Sequence, residues 1–219
     1  MGTTKLTAAA AALALGAALA GAALAPAPAR AAVAAGAGAA PALEPFCSRP
    51  GPGVQGKLCR LLSGLLVRMT PAPEDAPMVR LDRPGGVYRD GEPVTVTVEV
   101  PRDVRKGYLH VAYLDEGGRV LHLLSNPSAA VRGGQHVVLG AEGAQHGPGP
   151  RGYEAGPPRG RGLILTLVSP RPLAALGGRG AGEAEGMGGF LAALGAALRA
   201  EPDPTVLRFA RAAIETRPR

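Results

Sequence analysis

The sequence predicts a mainly β protein: an antiparallel β-sandwich or barrel-like domain with a short N-terminal helix and one C-terminal helix, α+β by content. Three observations indicate this fold. Apolar and polar residues alternate from Val94 to Val100, which is the period of a half-buried strand. A second strand pattern, a glycine turn and a third strand follow between Gly107 and Pro127. The run Leu163–Val168 is typical of a buried strand.

The chain divides into four segments by composition. Residues 1–31 are predicted to be a signal peptide, and residues 32–45, rich in Ala and Gly, a flexible linker. Residues 46–77 hold both cysteines, a helical segment and a Pro-rich linker. Residues 78–219 are predicted to form the β-rich domain.

Residues 1–31 have the pattern of a secretory signal. Lys5 supplies a short positive region, residues 6–25 are apolar and uncharged, and small residues around Ala29 and Ala31 offer cleavage sites. A membrane anchor is the alternative, since about 20 apolar residues can span a bilayer. Because most of this run is weakly apolar alanine and prolines follow it, we predict cleavage near Ala29 or Ala31. The mature protein is then periplasmic or secreted, with no stable transmembrane segment.

Cys47 and Cys59 are predicted to form a disulfide. In an oxidising compartment two cysteines pair most simply, and the Pro and Gly between them let the chain double back. Two unpaired thiols are the alternative, whereas a metal site needs further ligands and this segment contains no histidine. Apolar residues between Leu58 and Met69 recur at the spacing of a short amphipathic helix, which we expect to dock on the main core.

Four residues are predicted to be structural turn residues. Gly117 and Gly118 accept the positive φ angles that short hairpin turns require, and Asn126 with Pro127 closes the hairpin.

The register of this hairpin decides whether its two histidines can act together. If the two glycines are the central turn residues, Tyr113 lies opposite His122, and His110 faces the other side of the sheet from His122. The two imidazoles then cannot share an ion, and no metal site is predicted. A slip of one residue reverses this conclusion.

The loop 140–162 is predicted to carry any binding function. It is long and rich in Gly and Pro, and a loop of this length is either functional or poorly ordered. Its candidate binding residues are His146, Tyr153 and Arg159.

The end of the chain contains a predicted helix and an ambiguous tail. Apolar residues recur at helical spacing from about Met187 or Phe190 to Ala200. In residues 206–216, Leu207 and Phe209 alternate with arginines as in a strand, while the Ala and Arg content suits a helix.

The order of these turn and strand residues resembles a bacterial family of domains of unknown function, DUF4384. The first part of the resemblance comprises Tyr88, Gly91-Glu92, the alternating valines, Gly107-Tyr108-Leu109, Gly118 and Asn126-Pro127. The second comprises Gly156-Pro157-Pro158, Leu163-Ile164 and Ser169-Pro170-Arg171-Pro172. The resemblance reaches from about Leu81 to the C-terminus and implies a compact β module, as found appended to serine/threonine kinases and caspase-like peptidases. It also implies that the tail is a final strand, and it supplies no catalytic residue.

Charge and motifs restrict the function. The chain carries 24 basic and 17 acidic side chains, a net charge of +7, but the arginines are scattered and no basic run is interleaved with aromatics, so no nucleic acid is expected. No motif marks an activated nucleophile, a phosphate loop or a dinucleotide site, and no cofactor is predicted. Whether the protein is an enzyme stays open, with a non-catalytic role favoured.

The predicted function is a non-catalytic binding or accessory module of the cell envelope, whose partner is an unidentified envelope protein or glycan. The alternative is a small periplasmic hydrolase that uses the loop 140–162 with His122 or His146.

Overall fold

The computed structural model describes residues 60, 62–65, 75–125, 129–140, 152–203 and 206–219. These residues are mainly β, as predicted, with a helical turn at residues 60 and 62–65 and a longer helix, α1 (Met187–Ala200). The strands are β1 (Met78–Leu81), β2 (Val87–Arg89), β3 (Pro93–Val94), β4 (Val96–Glu99), β5 (Gly107–Asp115), β6 (Arg119–Leu124), β7 (Ala130–Val131), β8 (His136–Leu139), β9 (Tyr153–Glu154), β10 (Gly160–Ser169), β11 (Ala184–Gly186) and β12 (Arg208–Arg217).

The strands form two main sheets and a small ribbon. The larger sheet has the order β11-β6-β5-β10-β12-β2, with β7 also paired to β5. The smaller sheet has the order β1-β4-β8, and β3 pairs with β9. Every described pairing is antiparallel except that of β12 with β2.

The smaller sheet covers one face of the larger sheet, which makes a β-sandwich. The alternation in β4 explains the packing, because Val96 and Val98 are fully buried while Thr97 and Glu99 are half-buried. Val96 and Val98 share one apolar core with residues from the facing side of the larger sheet, including Leu109, Val111 and Ile164.

Helix α1 covers the other face of the larger sheet. The helical spacing predicted from the sequence is confirmed, since Phe190, Leu191, Leu194 and Leu198 are all buried. Leu62, in the N-terminal helical turn, is fully buried in the same core, so the described part of that segment docks as expected.

A central strand of the larger sheet is β10, which begins three residues before the predicted strand Leu163–Val168 and ends one residue after it. It pairs with β5 along one edge and β12 along the other. Both of its faces are covered, and this explains why residues 163–168 are apolar except for the buried Thr166. The tail is a strand, as the resemblance implied: β12 pairs with β10 from Arg208 to Thr216.

The predicted register of the β5–β6 hairpin is wrong by one residue. Leu114 pairs with Val120 and Tyr113 with Leu121, so the loop contains three residues, 116–118, and not two. Gly118 alone takes the left-handed conformation, with φ of 83°. This is the three-residue hairpin in which a final glycine closes the turn. Asp115 fixes it, because its Oδ1 accepts the backbone N–H of Arg119 at 2.9 Å and its carbonyl accepts that of Gly118 at 3.1 Å.

Candidate functional site

The shifted register brings His110 and His122 to the same face of the sheet, which overturns the prediction that they face opposite sides. Ala112 pairs with His122, and the register of the two strands shifts at a bulge between Val111 and Ala112. The two imidazole centroids lie 5.3 Å apart in an edge-to-face arrangement. Both rings lie under Phe190 of α1, at centroid distances of 6.2 Å for His110 and 6.0 Å for His122.

Two half-buried charged residues from the segment before α1, Arg179 and Glu185, complete this cluster. His122 Nε2 lies 2.8 Å from Glu185 Oε1, and Arg179 Nε donates to the same oxygen at 2.6 Å. Arg179 also donates to the carbonyl of Ala175 at 2.7 Å. The guanidinium therefore holds the carboxylate that orients the His122 ring.

Burial keeps both imidazoles neutral near pH 7. It lowers the pKa of His110 to about 3, with smaller contributions from His122 and Arg179. Burial also lowers the pKa of His122, although its hydrogen bond to Glu185 opposes this change. Burial alone would raise the pKa of Glu185, but hydrogen bonds from Arg179 and His122 outweigh it and lower that pKa. A neutral His122 donates through Nε2–H to an ionised Glu185.

The two imidazoles of this cluster are closed to substrates. His110 is fully buried and His122 is 1% exposed. Within the described part of the chain, no group of three His, Cys, Asp or Glu side chains is arranged to hold a metal ion. The arrangement of imidazole, carboxylate and guanidinium is suited to ordering the sheet beneath α1.

An open cleft lies on the opposite face of the larger sheet, at one end of the sandwich. Its volume is about 150 Å³. Its walls are mainly apolar, with a few polar side chains among them, which is the usual make-up of a ligand site. The side chains that line it include Tyr113, Asp115, Arg119, Leu121, Tyr153 and Glu154.

One wall of the cleft is the segment 153–158, from the loop predicted to carry binding. The ribbon of β3 and β9 ties it to the smaller sheet, and backbone hydrogen bonds join Ala155 to Gly91 and Glu92. Tyr153 is 8% exposed and its hydroxyl donates to the carbonyl of Leu123 at 2.5 Å. Burial raises the pKa of Tyr153, so this hydroxyl stays protonated.

The other candidate residues of this loop fall in different places. Arg159 is exposed, does not line the cleft, and pairs with Asp90 at 2.7 Å, which anchors the segment beside β2. The third candidate, His146, lies outside the described residues. So do Cys47 and Cys59 of the predicted disulfide, and Asn126 and Pro127 of the predicted turn.

The opposite wall depends on a glycine in the middle of the sheet. Gly162 of β10 pairs with Asp115, and a Cβ at this position would lie 2.3 Å from Cε2 of Tyr113. The Tyr113 ring therefore rests where a side chain would otherwise stand. Sequence reasoning missed Tyr113 and Asp115 as cleft residues. The available signal was Gly162 inside an apolar strand, which often marks a close approach.

The fold and the cleft together define a structural class of protein, which is an antiparallel β-sandwich with a helix on one outer face and a small open cleft at one end. Residues 87–172 match the model of a family described as a domain of unknown function, DUF4384, which confirms the predicted resemblance for this segment. The matched segment runs from β2 to β10 and stops before α1 and β12. No curated protein and no solved structure matched the chain. Among the residues that the structure describes, no helix is both long and apolar enough to cross a bilayer.

Proposed function

We propose that the protein is an exported, non-catalytic binding or accessory module of the cell envelope, and that its ligand occupies the cleft at the end of the sandwich. The cleft is the observation that carries this proposal, because it is open, mainly apolar, and lined by the loop segment that the sequence singled out. Its partner is an envelope protein or glycan.

The position of His122 favours binding over hydrolysis. A general base must reach the proton that it removes, either directly or through one water. His122 is 1% exposed, is engaged by Glu185, and lies on the opposite side of the sheet from the cleft. A hydrolase site built from this histidine and the described part of the loop would span both faces of one sheet.

The cleft can be tested with a variant that narrows it. A Cβ at Gly156 would have no atom within 4 Å, and this residue lines the cleft without a positive φ. We therefore expect Gly156→Leu to fold and to lose fragment binding. The measurement is a fragment screen by thermal shift, since a compound that binds only the folded state raises its apparent stability.

Gly188→Leu is the matched control. This glycine lies in the first turn of α1, is exposed, and also has open space around its Cβ position. Fragments that stabilise the original protein should stabilise Gly188→Leu equally. Fragments that stabilise Gly156→Leu as well as they stabilise the original protein would place binding elsewhere and contradict the proposal.

Export is tested separately. The apolar run and the small residues before Ala29 and Ala31 support cleavage there. We expect the mature protein in the periplasmic or extracellular fraction. Its intact mass should be that of a chain that begins just after one of these alanines. A chain that keeps residues 1–31 and sediments with membranes would show that the segment is an anchor.

A further inference from the structure

We propose that the cleft receives a cationic side chain, a lysine or arginine of a partner protein, whose alkyl stem lies on the apolar walls and whose charge lies beside Asp115. This inference rests on the proposed binding function and names the chemistry of its ligand.

The carboxylate of Asp115 is the first reason. Asp115 is only 3% exposed and lines the cleft. Its Oδ1 accepts the backbone N–H of Arg119, whereas Oδ2 has no hydrogen-bond partner among the described residues. No arginine, lysine or histidine of the described chain forms an ion pair with it. Buried carboxylates are seldom left without a counter-charge, so a cation from outside would complete this site.

The local charge is the second reason. The cleft lining contains two acidic side chains, Asp115 and Glu154, against one basic side chain, Arg119. Glu116 lies next to Asp115 in the hairpin loop. Burial raises the pKa of Tyr113, the negative charges of Asp115 and Glu116 raise it further, and the charge of Arg119 opposes them. Arg119, Glu154 and Glu116 are all exposed, so solvent screens their charges, whereas Asp115 is buried. Asp115 is therefore the one buried charge among the residues that line the cleft, and it is negative in a chain with a net charge of +7.

The size and the walls of the cleft are the third reason. A volume of about 150 Å³ accommodates a single side chain or a benzene-sized group. Leu121, Leu123 and Ile164 line it and can cover a run of methylenes. Lysine and arginine place apolar stems on such surfaces while the charged end reaches a polar group. A neutral glycan has no such charge for Asp115, so these features favour a protein partner.

A series of three amino-acid derivatives tests the inference. Nα-acetyl-lysine methylamide, the norleucine analogue and the glutamate analogue present a cation, an apolar chain and an anion on the same backbone. Dissociation constants for the purified protein would be measured by NMR titration at low ionic strength. Because a charge-assisted hydrogen bond is added, we expect lysine to bind about tenfold more tightly than norleucine.

The variant Asp115→Asn removes the charge but keeps an oxygen that can accept the Arg119 N–H, so the turn should be preserved. We expect it to bind lysine and norleucine about equally. Glu99→Gln, on β4 and outside the cleft lining, is the matched control and should keep the preference for lysine.

Each outcome separates this inference from the binding function beneath it. If norleucine binds the original protein as tightly as lysine does, the cleft binds ligands but the cationic assignment is overturned. Preference for glutamate would overturn it in favour of an anion at Arg119. Persistence of the lysine preference in Asp115→Asn would also overturn it. If none of the three derivatives binds, both the inference and the binding function of the cleft are contradicted.

Discussion

Replacing Phe190 with alanine is expected to cost about 3–5 kcal/mol of folding free energy, the usual range for a fully buried phenylalanine. Phe190 has no exposed surface and lies against both histidine rings as well as the apolar core under α1. Its removal leaves a cavity between α1 and the β5–β6 pair. The measurement is urea unfolding at pH 7, compared with the original protein.

Val138→Ala is the control for this experiment. Val138 lies on the edge strand β8 and is 38% exposed, so its truncation should change the free energy of unfolding by less than about 1 kcal/mol. Similar losses in the two variants would show that the core under α1 is not where the stability of the sandwich is concentrated.

A loss of stability between pH 7 and pH 5 is the second large expected effect. The pKa of His110 is near 6.5 in the unfolded chain and about 3 in the folded protein. The unfolded state therefore binds more protons over this interval, so the stability present above pH 6.5 is lost as the pH falls toward 3. This one group accounts for a decrease of about 2 kcal/mol from pH 7 to pH 5.

His110→Leu should remove this part of the pH dependence, because leucine cannot be protonated. His122 contributes in the same direction, so a smaller dependence remains. Leu194→Ala, a buried change in α1, is the control: it lowers stability at every pH but should keep the original slope. The assignment is contradicted if His110→Leu loses as much stability between pH 7 and pH 5 as the original protein does.

The architecture could be predicted because its signals are local. Alternating valines in β4, the apolar run in β10 and the helical spacing in α1 each depend on neighbouring residues. The hairpin register could not be predicted, since the stretch Asp115 to Arg119 is compatible with a two-residue or a three-residue loop. The side-chain oxygen of Asp115, which accepts the Arg119 N–H, favours the longer loop.

That single residue of register determined which face each side chain of β6 occupies. It placed His122 on the face of His110 and against Glu185, which is 63 residues away in the chain, and it placed Leu121 beside Tyr113 in the cleft. No local pattern links these partners. The candidate site was therefore predictable only as far as the segment containing Tyr153, while its opposite wall required the pairing of β5, β6 and β10.

The parallel pairing of β12 with β2 has a consequence for where this domain can be divided. The segment that matches the family begins at β2, yet the strand that pairs with β2 is the last one in the chain. A fragment that contains only residues 87–172 would lack β12, which pairs with β10, and α1, which covers the leucines of β10. The sandwich therefore extends beyond the matched segment on both sides, since β1 lies before it and α1 and β12 lie after it.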